Sequence, residues 1–317
     1  MTPITVSRPT TVAARVLIKK ADGEEEPFDP AKLEKSLELA GASSTARARI
    51  AARIMREIEN AVIGGVERTK RKSDVFGFSS RGAGNLAPEE AKFTTEEIYR
   101  RAFDILRKEE APPVAARYSV KRAVFELGPS GFPFEQFLAE VLRAHGWKTR
   151  TGVALTGRCA PHEVDVVAEK GGKRVGIEAK FHNDAGGKTD IKDALYVHAR
   201  YEDLKNTPEA SSRVDEGWLI TNTRFTRNAI RYAQCSNLTL IGWDYPHGRN
   251  LYSLIEEARV HPLTCLTTLS GSEKNRFLDK RIVLCKSIST RHILEEYGVK
   301  PARIPQVLDE AKQLCGI

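Results

Sequence analysis

No C-x-x-C pair occurs among the five cysteines of this 317-residue chain. Cys159, Cys235, Cys265, Cys285 and Cys315 are scattered and odd in number, which argues against a zinc knuckle and gives no disulfide framework. Free thiols are expected, and with them a reducing, cytoplasmic setting. Long apolar runs are missing too, since no stretch approaches the ~20 consecutive apolar residues of a membrane-spanning helix. The opening residues, MTPITVSRPTTVAARV, lack a basic start followed by an apolar run, so no signal peptide is expected. The pattern G-x-x-x-x-G-K-[S/T] is absent, which argues against ATP hydrolysis on a P-loop. Internal repeats and low-complexity tracts are also absent.

What remains is a basic, globular composition. Hydrophobic residues make up 41% of the chain and charged residues 29%, enough to build a core with a solvated surface. Lys and Arg outnumber Asp and Glu by 50 to 42, and the formal net charge of +8 favours a polyanionic partner such as nucleic acid. The length suggests two domains and an appendage.

Patterning divides the chain in three. Residues 15–127 read as a small α-rich domain with a strand pair at its start: Val16–Lys20, a turn at Asp22-Gly23, then Glu26–Phe28. Asp29-Pro30 starts a helix that Gly41 stops. Ser44 opens a second, with Ile50, Ile54, Ile58 and Val62 on one stripe, and Gly64-Gly65 ends it. A loop follows to residue 90, with the basic run Arg68–Lys72 and glycines at 77, 82 and 84. Thr94 and Glu97 have capping-box spacing for a third helix, Pro112-Pro113 breaks it, and helical pattern resumes over Val114–Leu127. The cluster Gly128-Pro-Ser-Gly-Phe-Pro133 is the clearest boundary. Residues 128–260 then alternate helix, strands, helix, strand, helix and strand, an α/β pattern implying a mixed sheet. Strands are expected at about 162–169, 174–181, 218–222 and 238–243. Residues 261–317 form a short helical tail.

The hairpin HEVDVVAEKGGKRVGIEAKF carries the chemistry. Gly171-Gly172 as a two-residue turn pairs Lys170 with Lys173, so residue numbers across the ladder sum to 343. Asp165 then stands opposite Glu178, and Glu163 opposite Lys180. Alternation puts Val164, Val166, Ala168, Val175, Ile177 and Ala179 on a core face, and Glu163, Asp165, Glu178 and Lys180 on the other. Two opposed carboxylates ~5 Å apart repel unless they are well solvated or a divalent cation lies between them. Hard oxygen ligands of this kind suit Mg²⁺. Such an ion can activate water and polarise a phosphodiester, and a lysine on the same strand face can position that water or stabilise developing charge. An exposed, inert charged strand face is the competing reading.

The segments GFPFEQFLAEVLRAHGW, HEVDVV and VGIEAKFHN, followed by GWLITNTRFTRNAIRYAQ and LTLIGWD, resemble the Mrr-like branch of the PD-(D/E)xK nucleases over residues 131–245. The resemblance implies a restriction-endonuclease-like fold with Asp165 and Glu178 as metal ligands for Mg²⁺ or Mn²⁺. It makes Lys180 the catalytic lysine and Glu135, on the first helix, a further acidic ligand. Val164 stands where the class has its naming proline. His162 and His182 flank the site.

At the other end, LIKKADGEEEPFDPAKLEKSL and ARYSVKRAVFEL resemble the ATP-cone, a regulatory nucleotide-binding module. That resemblance implies ATP or dATP held by Lys19, Lys20 and Lys32, with Leu17 and Ile18 near the base. The extra Ala21 and the long 64–90 segment depart from the cone pattern. The tail STRHILEEYGVKPARIPQVLDEAKQLC has the helix–Gly turn–helix pattern of small nucleic-acid-binding hairpins, or of a plain packing pair. Together these readings describe a cytoplasmic, metal-dependent endonuclease acting on DNA, responsive to a nucleotide, in restriction of foreign DNA or repair, with homo-oligomerisation left open. The rivals are a non-enzymatic nucleotide-responsive regulator that binds nucleic acid, and an RNA nuclease.

Overall fold

In the computed structural model, which describes residues 16–75, 93–110, 112–128 and 131–316, the chain divides between Tyr118 and Ser119 into two units. The turn cluster at Gly128 is therefore not where the units part. Val114–Leu127 is not one helix either: it splits into α4 (Pro112–Tyr118) and α5 (Val120–Phe125). The reason lies downstream. Thr264 donates its Oγ1 hydrogen to the Ala123 carbonyl at 2.5 Å, so α5 packs with the later part of the chain.

The first unit has a three-stranded sheet in the order β2–β1–β3, from β1 (Leu17–Lys19), β2 (Glu25–Pro27) and β3 (Phe93–Thr94). Its helices are α1 (Pro30–Leu39), α2 (Ser44–Val75), α3 (Thr95–Glu109) and α4. The local signals act as expected at three ends. The Asp29 carboxylate accepts the Ala31 N–H at 2.9 Å, Gly41 takes φ +83° after α1, and Thr94 and Glu97 form a reciprocal capping box. Leu33, Leu37, Ile50, Ile54, Ile58, Ala102 and Leu106 fill the core. One expectation fails: α2 runs through Gly64-Gly65 to Val75. A glycine inside a helix costs about 1 kcal/mol relative to alanine, a penalty but no stop. The side chains of Val62 and Arg68–Lys72, and residues 77, 82 and 84, lie outside the described residues.

In the second unit, α6 (Phe132–Ala144) lays Phe134, Phe137, Leu138, Val141 and Leu142 against one face of a five-stranded sheet. The strands are β4 (Lys148–Thr156), β5 (Pro161–Lys170), β6 (Lys173–Lys180), β8 (Glu216–Thr221) and β10 (Thr239–Ile241), in the order β10–β8–β6–β5–β4. β4, β5 and β6 run antiparallel, while β6, β8 and β10 are parallel, so the sheet is mixed. The parallel crossovers carry α7 (Ile191–Lys205) and α8 (Arg227–Ser236), each preceded by one strand of a minor parallel pair, β7 (Lys188–Thr189) and β9 (Arg224–Phe225). β4, unforeseen in the sequence, reads KTRTGVALT and buries only Leu155, which is too little for an apolar signal. Among the described residues no helix is long and apolar enough to cross a membrane.

The tail after α9 (Leu251–Ala258) holds α10 (Gly271–Leu278), α11 (Arg291–Glu296) and α12 (Ile304–Cys315). Glu310 of α12 is 1% exposed, and it accepts the backbone and hydroxyl hydrogens of both Thr267 and Thr268 at 2.6–2.9 Å. Here the cysteine reading needs correction. Cys285 and Cys315 form a disulfide, and Cys159, Cys235 and Cys265 are free. α12 packs on the turn at 285–287 and so brings together two cysteines whose spacing carries no recognisable motif.

Candidate active site

The β5–β6 ladder pairs Val166 with Ile177, Val167 with Gly176, and so on to Lys170 with Lys173. This is the register that sums to 343. Gly171 and Gly172 supply the positive φ values (+60° and +81°) that a tight hairpin of matching twist needs. The register stops one step short of Asp165 and Glu178. At that point the Asp165 carboxylate accepts the Ala179 N–H at 2.7 Å, a bond to β6 made by a side chain. On the β4 side Asp165 lies opposite Gly152, which has φ +57°. Asp165 thus sits where the sheet opens.

The face carrying Asp165, Glu178 and Lys180 is covered, in contrast to the bare charged strand surface weighed from the sequence. α7 lies across it. The Tyr201 ring packs on two glycines: a Cβ at Gly176 would come within 2.3 Å of Cε1, and one at Gly217 within 2.3 Å of Cδ2. This close approach brings the α7 side chains onto the strands. Arg200, whose side chain is 10% exposed, donates from one terminal nitrogen to the Glu178 carboxylate and from the other to the Glu163 carbonyl. Asp193 lies 2.8 Å from the Lys180 ammonium.

Glu135, in the first turn of α6, shares this electrostatic neighbourhood. Burial pushes its carboxyl up to about 7, and the charges of Asp165, Glu163 and Glu178 push the same way. Glu178 is also pushed up to about 7, first by burial and then by the Asp165 charge, although Arg200 and Lys180 oppose it. Burial raises Asp165 as well, against the Ala179 hydrogen bond. Three carboxylates that repel one another in a partly desolvated space form a donor set whose charge a hard divalent cation would relieve. Among the described residues, no three His, Cys, Asp or Glu side chains stand ready-made to hold a metal ion. Glu178 is turned to Arg200 and Asp165 to Ala179, so the fit is one of chemistry and charge.

The flanking histidines are engaged elsewhere. His162 Nε2 lies 2.9 Å from Asp203, and His182 Nε2 lies 2.9 Å from the Thr189 hydroxyl. Arg200 and Asp193 were not foreseen, although both belong to α7, the helix that follows β6. Their spacing from Glu178 and Lys180 is set by tertiary packing, and only the charged residues of DIKDALYVHARYED hint at it.

In the first unit, Lys20 and Lys32 converge on one carboxylate, with Nζ atoms 2.9 and 2.8 Å from Glu26. Lys19 is exposed, Leu17 is half-buried, and Ile18 belongs to the core.

Two family models match parts of the chain. The restriction endonuclease family Mrr_cat matches residues 129–245, and the family described as AF1548-like, C-terminal, matches residues 261–315. An uncharacterized protein of Archaeoglobus fulgidus is 33% identical over 181 residues, which is 56% of this chain and 100% of the relative. A crystal structure of a protein of unknown function, AF1548, is 31% identical and covers 59% of this chain and 99% of its own, with a TM-score of 0.50. The MspJI restriction endonuclease in complex with a 27-mer oligonucleotide covers 74% of this chain and 44% of its own at 16% identity and a TM-score of 0.30.

Proposed function

Because the chain belongs to the AF1548-like family and carries a restriction-endonuclease domain, we propose that it is a divalent-cation-dependent endonuclease cutting DNA. The observation that carries this reading is Asp165, bonded to the Ala179 N–H of β6, between Glu178 and Lys180 on that strand, with Glu135 within reach of their charges and Glu135 and Glu178 both pushed up to about 7. Asp165, Glu178 and Glu135 would hold Mg²⁺ or Mn²⁺, which when bound supplies Lewis acidity and a more acidic water.

The chain's own residues do the rest. Lys180 is fixed by Asp193 at the rim and brings a positive charge to the attacked phosphate. α7 and the Tyr201 ring shut water out behind the carboxylates, which strengthens every charge interaction in front of them. The excess of basic residues favours a polyanionic substrate. We assign DNA over RNA because of the restriction-endonuclease match. The first unit serves in this reading as a sensor for ATP or dATP, with Lys20 and Lys32 exchanging Glu26 for phosphate.

The test is cleavage of plasmid, single-stranded DNA and RNA with Mg²⁺ or Mn²⁺, with and without ATP, comparing wild type with Asp165→Asn. Asparagine keeps an acceptor for the Ala179 N–H and removes only the charge. Cleavage lost in the variant supports the reading. An uncut substrate set that the wild type nevertheless binds would favour the non-enzymatic regulator.

A further inference from the structure

Beside the carboxylates, α7 presents a stripe that the cleavage chemistry does not use. Lys192, Tyr196 and Arg200 follow one another at four-residue spacing, which stacks them on one side of the helix. Tyr196 is 61% exposed and its neighbour Leu195 is 44% exposed, while Lys192 and Ala199 are exposed too. The Arg200 guanidinium carbon lies 5.5 Å from the centre of the Tyr196 ring. The same guanidinium contacts Glu178, so the exposed ring is tied directly to the site. Arg200 itself is committed, its terminal nitrogens held by Glu178 and the Glu163 carbonyl, so toward Tyr196 it serves as a fixed cation beside the ring.

Building on the nuclease reading, we propose that Tyr196 is a stacking platform for an unpaired nucleobase. Lys192, exposed one turn away, would take an adjoining phosphate, making single-stranded or locally unpaired DNA the substrate class. An aromatic ring flanked by cations is the combination that holds single strands: the ring takes any base face and the cations track the backbone. In an intact duplex the bases already stack on one another, and a side chain reaches one only after it is unpaired. Size favours this occupant over a protein. Leu195 and Tyr196 are the large exposed hydrophobic residues of this unit among the described residues. Two side chains suit one or two bases, and they fall far short of the ~800 Å² per partner of a stable protein interface.

The experiment is fluorescence anisotropy of the full chain with a dye-labelled single-stranded oligonucleotide and with the matching duplex. Ca²⁺ is present to fill the cation site without supporting turnover. Wild type, Tyr196→Ala, Tyr196→Phe and Tyr196→Trp are compared. The expected result is a ~10-fold or greater loss of single-strand affinity in Tyr196→Ala, near-wild-type affinity in the two aromatic variants, and unchanged duplex affinity. Equal single-strand binding by wild type and Tyr196→Ala overturns the proposal, as does an equal loss in Tyr196→Phe. A wild type that binds neither oligonucleotide overturns it even if plasmid is cut. Sedimentation velocity covers the remaining occupant: a dimer that Tyr196→Ala dissociates, at unchanged oligonucleotide affinity, gives the patch to a second copy. Tyr196-dependent binding by a protein that cuts nothing keeps the platform and removes the nuclease.

Discussion

The Arg200 guanidinium holds the Glu178 carboxylate across the boundary between α7 and the sheet, and its second terminal nitrogen is anchored on the Glu163 carbonyl. A helix side chain therefore neutralises a carboxylate of the β6 strand. The neutralisation is incomplete, because burial and Asp165 still push Glu178 up to about 7 from an ordinary 4.5.

This sets a pH dependence in the metal-free protein. A carboxyl whose folded pKa is raised is stabilising below its unfolded pKa, and that contribution fades as pH rises through the folded value. The window for Glu178 is 4.5 to about 7. In EDTA, wild type is expected to lose stability across that window, from 4.5 to about 7, more steeply than Glu178→Gln. Urea unfolding at each pH measures it, and parallel profiles for the two proteins would remove Glu178 as the source.

Gly176→Ala tests the close packing of α7 on the sheet. The added methyl would meet the Tyr201 ring at 2.3 Å, so the ring or the helix must move. A loss of about 1–3 kcal/mol is expected in urea unfolding. Combining it with a smaller residue at Tyr201 should return part of that loss, and a fully additive double variant would show that the two do not meet.

Lys180→Ala separates chemistry from folding. The side chain is 42% exposed and its ammonium pairs with Asp193 at 2.8 Å, an interaction worth no more than about 1 kcal/mol to the fold. Cleavage should nevertheless fall by roughly 100-fold or more. A variant that cuts as well as wild type would exclude Lys180 from the reaction.

Lys20→Ala addresses the first unit. Lys20 and Lys32 meet at Glu26, so removing one leaves half of the cationic pair that would face a phosphate. Titration calorimetry of the full chain with ATP should show affinity lower by about 10-fold, the effect of one charged hydrogen bond. Unchanged affinity would take Lys20 out of the nucleotide site.

Glu310→Ala probes the tail. Four donors from Thr267 and Thr268 close on one buried carboxylate, and alanine would leave them without it. We expect about 3 kcal/mol or more of destabilisation. Hydrogen exchange should show the Thr267 and Thr268 amides released first; continued protection of both would contradict this account.

The hairpin was legible because its determinants are local. Two glycines fix the turn, the turn fixes the register, and period-two alternation then separates Asp165, Glu178 and Lys180 from Val166 and Ile177. The helix caps at Asp29 and Thr94 were legible for the same reason. Readings failed where tertiary contact decides. β4 is an edge strand whose side chains do alternate, but Thr149, Thr151 and Val153 are only half-buried and Leu155 alone is buried, so no apolar stripe marks it. The partners of Glu178 and Lys180 lie on α7, and no spacing rule links Arg200 or Asp193 to them. Cys285 and Cys315 meet through the packing of α12, and their separation of 30 positions gives no sign of it.

The ring of Tyr201 resting on Gly176 and Gly217 has a meaning for descent as well as for packing. Three positions on three separate elements form one inherited unit, in which a larger residue on either strand is excluded while the tyrosine remains. Drift at these sites must be ordered, with the helix residue shrinking before a strand residue grows. Among homologues that keep Arg200 against the β6 carboxylate, residues 176, 201 and 217 should therefore vary together or not at all.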